Sequence, residues 1–216
     1  MKIKICGLTN LEDVLLASEL GADFLGFIFY DKSPRNNKLN NVSHILNSYQ
    51  GQADPVAVFV NESYEKIVHV CSEANIKIIQ LHGTEDHVLI SKLQDKGFEI
   101  FKALSVKDKF SFDYDIKLKP DRFLLDTWHP ELKGGVGVNF DWSLLEEKKE
   151  FVSKSIIAGG INSETVGLLL EKLKPWGIDV SSGIEAFPGK KDHQKMVELF
   201  TIIEKRKFRH DSKAGN

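Results

Sequence analysis

Cysteine is scarce in this chain, which has only Cys6 and Cys71 among 216 residues. The two form neither a metal-ligand nor a redox spacing, and with no secretion signal the expectation is a pair of reduced thiols in the cytoplasm. Long apolar runs are missing too. No stretch approaches the ~20 residues needed to span a bilayer, and from Met1 the chain enters a strand-like segment rather than a signal peptide. The expectation is therefore no membrane partner. Nor is there an excess of one charge: 29 Lys plus Arg stand against 31 Asp plus Glu, a formal charge of −2. Without a bulk positive field, nucleic acid is excluded as a partner, and an anionic small molecule must be captured by local groups. A dinucleotide glycine fingerprint is also absent.

What is present is an ordinary globular composition, 42% hydrophobic and 28% charged, with short apolar runs alternating with longer stretches of helical spacing. Strands are expected at Lys2–Cys6, Phe24–Phe29, Pro55–Val60, Ile76–Leu81, Phe98–Ala103, Arg122–Asp126, Ser155–Ala158 and Gly177–Val180. Helices are clearest at Leu11–Leu20, Ser63–Glu73, Asp86–Gln94, Ser163–Leu173 and Asp192–Lys207, with Asn10 and Asn162 as N-caps and Gly21 as a stop. A second helix near Val42–Ser48 and a fifth between Ser105 and Leu118 read weakly. Repeated βα units of this kind favour closure into one (β/α)8 barrel, a TIM barrel, over an open doubly wound sheet. The barrel domain is placed at residues 1–207, followed by a polar, frayed tail at 208–216.

Barrel chemistry sits at the C-terminal ends of strands and in the loops behind them. Period-two alternation along Lys2-Ile3-Lys4-Ile5-Cys6 puts the isoleucines on one face and Lys4 with Cys6 on the other, inward one, with Cys6 near the mouth. The same parity joins Ile78, Gln80 and His82, and joins Leu124 with Asp126. A carboxylate closing Phe-Leu-Leu must be solvated, paired or in use. Taken singly, Cys6 reads as a small buried hydrophobe, Asp126 as a cap and His82 as a hydrogen-bonded loop residue. Their convergence on one mouth is what favours catalysis. Gly159-Gly160 after the seventh strand and Ser181-Ser182-Gly183 after the eighth suit a phosphate, because glycine lets backbone N–H groups approach an anion and a short helix after Ser181 adds its positive end. Gly134-Gly135-Val136-Gly137 reads as a loop over the site.

Lys4-Ile5-Cys6-Gly7, Ser33-Pro34-Arg35, Gln80-Leu81-His82-Gly83, Leu125-Asp126-Thr127, Ala158-Gly159-Gly160 and Asp179-Val180-Ser181-Ser182-Gly183-Ile184-Glu185, with Pro188-Gly189-Lys190-Lys191-Asp192 behind, resemble phosphoribosylanthranilate isomerase in that order. The resemblance implies an Amadori rearrangement of N-(5-phosphoribosyl)anthranilate without metal or organic cofactor. It implies Cys6 as general base, Asp126 as general acid, Arg35 on the anthranilate moiety, and the loops of Gly159, Gly160, Ser181, Ser182 and Gly183 on the phosphate. Lys4, Gln80, His82 and Asp179 complete the expected substrate-binding set. Asn36-Asn37 depart from the family's aromatic or aliphatic residue after Ser-Pro-Arg, which leaves that loop's path open.

The chemistry agrees. Ring opening needs an acid at the furanose oxygen and then a base at C2. The acid must hold a proton near neutrality, which calls for desolvation, and the cysteine must be a thiolate, which calls for nearby positive charge. Lys4, on the same face about 6–7 Å along the strand, is expected to help ionise Cys6. The alternatives are another phosphosugar isomerase or epimerase barrel, against which the cysteine ending strand 1 counts, and a non-catalytic phosphate-binding barrel, which would have lost the base or the acid. Oligomeric state is not legible.

Overall fold

Alternate side chains of a strand point to opposite faces, and the computed structural model, which describes residues 1–106, 118–126 and 143–211, places both faces of every barrel strand. In chain order the elements are β1 (Lys2–Cys6), α1 (Leu11–Glu19), β2 (Phe24–Phe29), α2 (Leu39–Ser48), β3 (Asp54–Phe59), α3 (Tyr64–Glu73), β4 (Ile78–Leu81), α4 (His87–Asp95) and β5 (Glu99–Ser105). They continue with β6 (Arg122–Asp126), α5 (Ser143–Glu146), α6 (Lys149–Val152), β7 (Ile156–Ala158), α7 (Val166–Lys172), β8 (Gly177–Val180), β9 (Glu185–Phe187), β10 (Lys190–Lys191) and α8 (His193–Asp211). Strands β1 to β8 pair in parallel in chain order, and β8 returns to β1 through Lys4↔Asp179 and Ile5↔Val180, which closes the barrel.

The outward face is apolar. Ile3, Ile5, Leu25, Phe27, Ala57, Phe59, Ile79, Ile100, Leu125, Ile157 and Ile178 pack with helix residues such as Val14, Ile45, Ile67, Ile90, Val166 and Leu199 into the larger core. The inward face holds a smaller core of Phe24, Val56, Ile78, Phe101, Ala103, Leu124, Ile156 and Ala158. Its aromatic members meet edge to face, Phe24 on Phe101 at 5.5 Å, and Phe24 stacks on Trp176 at 5.8 Å. Toward the C-terminal strand ends the inner face turns polar, with Lys4, Gln80 and Asp179 all buried.

Helix starts follow their caps. Asn10, Ser63 and Asp86 accept the N–H of Asp13, Lys66 and Leu89 at 3.0, 3.3 and 2.9 Å. Asn162 behaves differently from expectation. It accepts the N–H groups of Glu164 and Thr165, both at 2.9 Å, so it caps a turn, and α7 proper begins at Val166. The final helix runs past Lys207 to Asp211. The interior of the Ser105–Leu118 segment and the Gly134-Gly135-Val136-Gly137 loop lie outside the described residues. An antiparallel β9–β10 hairpin, invisible to period counting because β10 has two residues, folds back from the mouth.

Candidate active site

At the end of β1, Cys6 and Lys4 face inward as their parity requires, and both are buried. The Lys4 ammonium lies 2.9 Å from Asp179 Oδ1 on β8. Room for the cluster comes from Gly26 on β2: a Cβ there would stand 2.8 Å from Cys6 Sγ and 3.0 Å from Lys4 Nζ. Burial works against the Lys4 charge, but Asp179 and Cys6 outweigh it and hold the ammonium above its ordinary value. For Cys6 burial wins. It pushes the thiol up, Lys4 pulls it down, Asp179 pushes it up again, and the net shift is upward. Lys4 thus acts in the direction expected of it, drawing the Cys6 pKa down, while burial first and Asp179 after it outweigh that pull. Lys4 is fully buried, and its ammonium engages Asp179.

Across the mouth, β4 and β6 carry a second chain of contacts. Gln80 Nε2 lies 3.1 Å from His82 Nδ1, and His82 Nε2 lies 3.1 Å from Asp126 Oδ2. With the Gln80 amide donating, Nδ1 is the acceptor, so Nε2 bears the hydrogen and donates to Oδ2. Among the described residues His82 engages only the Oδ2 side of the Asp126 carboxyl. The Asp126 side chain is 23% exposed at the mouth. Gln80 Oε1 is buried and, among the described residues, has no hydrogen-bond partner, which marks it as an acceptor suited to a ligand hydroxyl.

Two ion pairs, each with at least one partner outside the expected set, support these residues. Lys102, on the outer face of β5, reaches Glu85 at 3.1 Å and the carbonyls of Gly83 and Ala103 at 2.8 and 2.9 Å. Glu85 accepts the N–H groups of Asn61 and Gly83. The pair thus pins the loop that carries His82. At the other side Arg35 donates through Nε and Nη2 to the two oxygens of Glu185 at 2.7 and 2.6 Å, and its Cδ lies 2.6 Å from where a Cβ on Gly7 would sit, beside Cys6. Glu185 raises the Arg35 pKa by this hydrogen bonding, against burial. The departure at Asn36-Asn37 leaves the loop well tied: Asn37 Nδ2 donates to Leu8 O at 2.8 Å, and Asn36 Oδ1 accepts the Tyr30 N–H at 2.9 Å. Sequence reading assigned no role to Glu185, Lys191, Glu85 or Lys102. Each is a charged residue that looks solvated until its distant partner is known.

The loops after β7 and β8 meet. Gly183 sits against the Ile161 carbonyl oxygen with no room for a Cβ, which brings the loop after β8 to the segment that follows Gly160. The helix expected after Ser181 is a single 3-10 turn, Ser182–Ile184. Such a turn offers its own first N–H groups but little summed dipole. A trio able to ligate a cation, Glu12, Asp13 and His193, lies on α1 and α8, but Lys190 Nζ already sits 2.8 and 2.9 Å from the two carboxylates.

Residues 3 to 201 match the family model of N-(5'phosphoribosyl)anthranilate (PRA) isomerase. The chain is 39% identical over 196 residues to the N-(5'-phosphoribosyl)anthranilate isomerase of Thermotoga maritima, covering 91% of this chain and 95% of that protein. It is 40% identical over 201 residues to the protein of the same name from Aquifex aeolicus, with 92% and 96% covered. A crystal structure of phosphoribosyl anthranilate isomerase from Thermotoga maritima superposes with a TM-score of 0.88 at 38% identity, covering 95% of this chain and 99% of that one. A second, of a phosphoribosyl anthranilate isomerase in complex with reduced 1-(o-carboxyphenylamino)-1-deoxyribulose 5-phosphate, gives 0.85 at 35% identity, with 95% and 99% covered. With sequence and backbone agreeing over nearly the whole barrel, this chain belongs to the N-(5'-phosphoribosyl)anthranilate isomerase family.

Proposed function

We infer that the chain catalyses the Amadori rearrangement of N-(5-phosphoribosyl)anthranilate to 1-(2-carboxyphenylamino)-1-deoxyribulose 5-phosphate, an isomerase step of tryptophan biosynthesis. The observation that carries this reading is the pairing of an inward thiol ending β1 with a His82-held carboxyl ending β6, separated by β7 and β8 on the shorter way round the mouth.

Asp126 acts as the acid. With Oδ2 held by His82, its proton resides on Oδ1 and is delivered to the ring oxygen as the C1–O bond breaks. A bound substrate covers the carboxyl and excludes water from it. The iminium so formed acidifies the C2 hydrogen, which Cys6 removes as thiolate, giving an enolamine that tautomerises to the ketose. Lys4 and Lys191 both favour the thiolate. Arg35 meets the anthranilate carboxylate, the loops of Gly159, Gly160, Ser181, Ser182 and Gly183 hold the phosphate, and Gln80 Oε1 accepts a sugar hydroxyl. Asp179 fixes the Lys4 ammonium beneath Cys6.

The reading is tested by supplying enzymatically generated phosphoribosylanthranilate and following anthranilate fluorescence. Loss of fluorescence that persists in the presence of a metal chelator is expected. A fluorophore left unchanged by the pure protein contradicts the reading.

A further inference from the structure

Lys191 ends the β9–β10 hairpin with its side chain completely buried. Its ammonium has three protein acceptors: Cys6 O at 2.6 Å, Ser181 O at 3.1 Å and Glu185 Oε1 at 3.1 Å. An ammonium has three protons, so none is left for a ligand. The three acceptors belong to three separate parts of the site: the strand end that carries the thiol, the loop after β8, and the carboxylate that holds Arg35. Glu185 is itself buried and committed, with both oxygens on Arg35 and the Gly189 N–H on Oε1 at 3.3 Å. The cluster of Lys191, Glu185 and Arg35 therefore carries one excess positive charge. That charge faces the mouth through Arg35, whose side chain is 20% exposed while that of Lys191 is fully enclosed.

Glu185 engages the Nε and Nη2 edge of the guanidinium. Among the described residues the end-on edge, Nη1 with the second proton of Nη2, remains for another planar acceptor. Were Lys191 absent, Glu185 would cancel Arg35 and the site would lose its net cation.

We propose that Lys191 is a positioning residue of the active site, joining the Cys6 strand end to the phosphate loop and, through Glu185, fixing Arg35 so that it takes the substrate carboxylate end-on. This rests on the roles given above to Cys6 and Arg35. A brace that served only the fold would affect stability; a positioning residue also moves the chemistry of groups it does not replace.

Two variants separate these. Lys191→Met removes the charge and keeps the stem. Its kcat is expected to fall about tenfold or more, and the rising limb of the kcat/KM pH profile is expected to move upward together with the pH midpoint of Cys6 alkylation, by roughly half a unit. Glu185→Gln keeps the shape and removes the anchor's charge, and is expected to raise KM by about tenfold, more than it lowers kcat. A Lys191→Met protein that is less heat-stable but retains the wild-type kcat and alkylation midpoint overturns the proposal. If Lys191→Met does not fold, Glu185→Gln decides: a wild-type KM in that variant overturns it. Wild-type turnover by Cys6→Ser would instead contradict the base assignment, and the KM of Glu185→Gln would still read the Arg35 limb.

Discussion

The two cysteines differ in what surrounds them. Cys71 lies in α3 with burial acting alone, and its thiol is pushed up to about 12. Cys6 is buried as well, but Lys4 and Lys191 act against that burial. In the native protein iodoacetamide is expected to label Cys6 faster than Cys71, product is expected to slow that labelling, and Cys71 is expected to react only on unfolding. Mass spectrometry of the alkylated peptides reads this, and protection of Cys71 by product would contradict it. Gly26 gives a second test. A methyl group there must displace Cys6 Sγ or Lys4 Nζ, so Gly26→Ala is expected to lower kcat/KM by about tenfold or more with little change in circular dichroism. A variant with unaltered kinetics would show that the cluster tolerates displacement. Parity along five residues was enough to read Lys4 and Cys6 as inward neighbours. It was blind to Asp179, which is 175 residues away and answers the Lys4 charge.

At the scale of elements, the β9–β10 hairpin is fastened to α1 by a single buried carboxylate. Asp13 accepts the Lys191 N–H at 2.8 Å, Lys190 Nζ at 2.9 Å and Asn10 Nδ2 at 2.8 Å, with His193 Nε2 at 2.9 Å. Burial pushes this carboxyl up, but the Lys191 N–H, Lys190, Asn10 and His193 outweigh it and hold it below its usual value. A depressed carboxyl contributes stability that is complete above its unfolded pKa of about 3.9 and is lost as pH falls through the lower folded one. Asp13→Asn is therefore expected to destabilise the protein by about 3 kcal/mol near neutrality and to flatten the loss of stability with acid below a pH of about 4. Urea unfolding at several pH values measures both, and an unchanged acid slope would contradict the assignment. The cap at Asn10 was legible because a cap is a local pattern, whereas Asn162 shows the same pattern and caps a turn ahead of α7. The hairpin was not legible, because its two-residue partner strand has no period, and its anchor lies on the first helix.

For the molecule as a whole, the closed barrel was legible because eight apolar runs at similar spacing leave few alternatives, and the outward isoleucines and phenylalanines pack on helices as alternation requires. Less legible was how the polar mouth is held. Lys102 carries no local signal of a partner, yet it is buried, because Glu85 reaches it from another loop. The same holds for Lys191 and Glu185. A single sequence marks the ends of strands, where chemistry gathers, but not the long-range ion pairs that aim them. The proposed catalysis rests on the division of labour between β1 and β6. The most direct measurement is the rate of fluorescence loss from phosphoribosylanthranilate with wild-type protein, Cys6→Ser and Asp126→Asn, each checked for native circular dichroism and product binding. The account predicts rapid turnover by the wild type and a fall in kcat of at least about a hundredfold in each variant, with product still bound; a folded variant of either kind that turns over at the wild-type rate would contradict it.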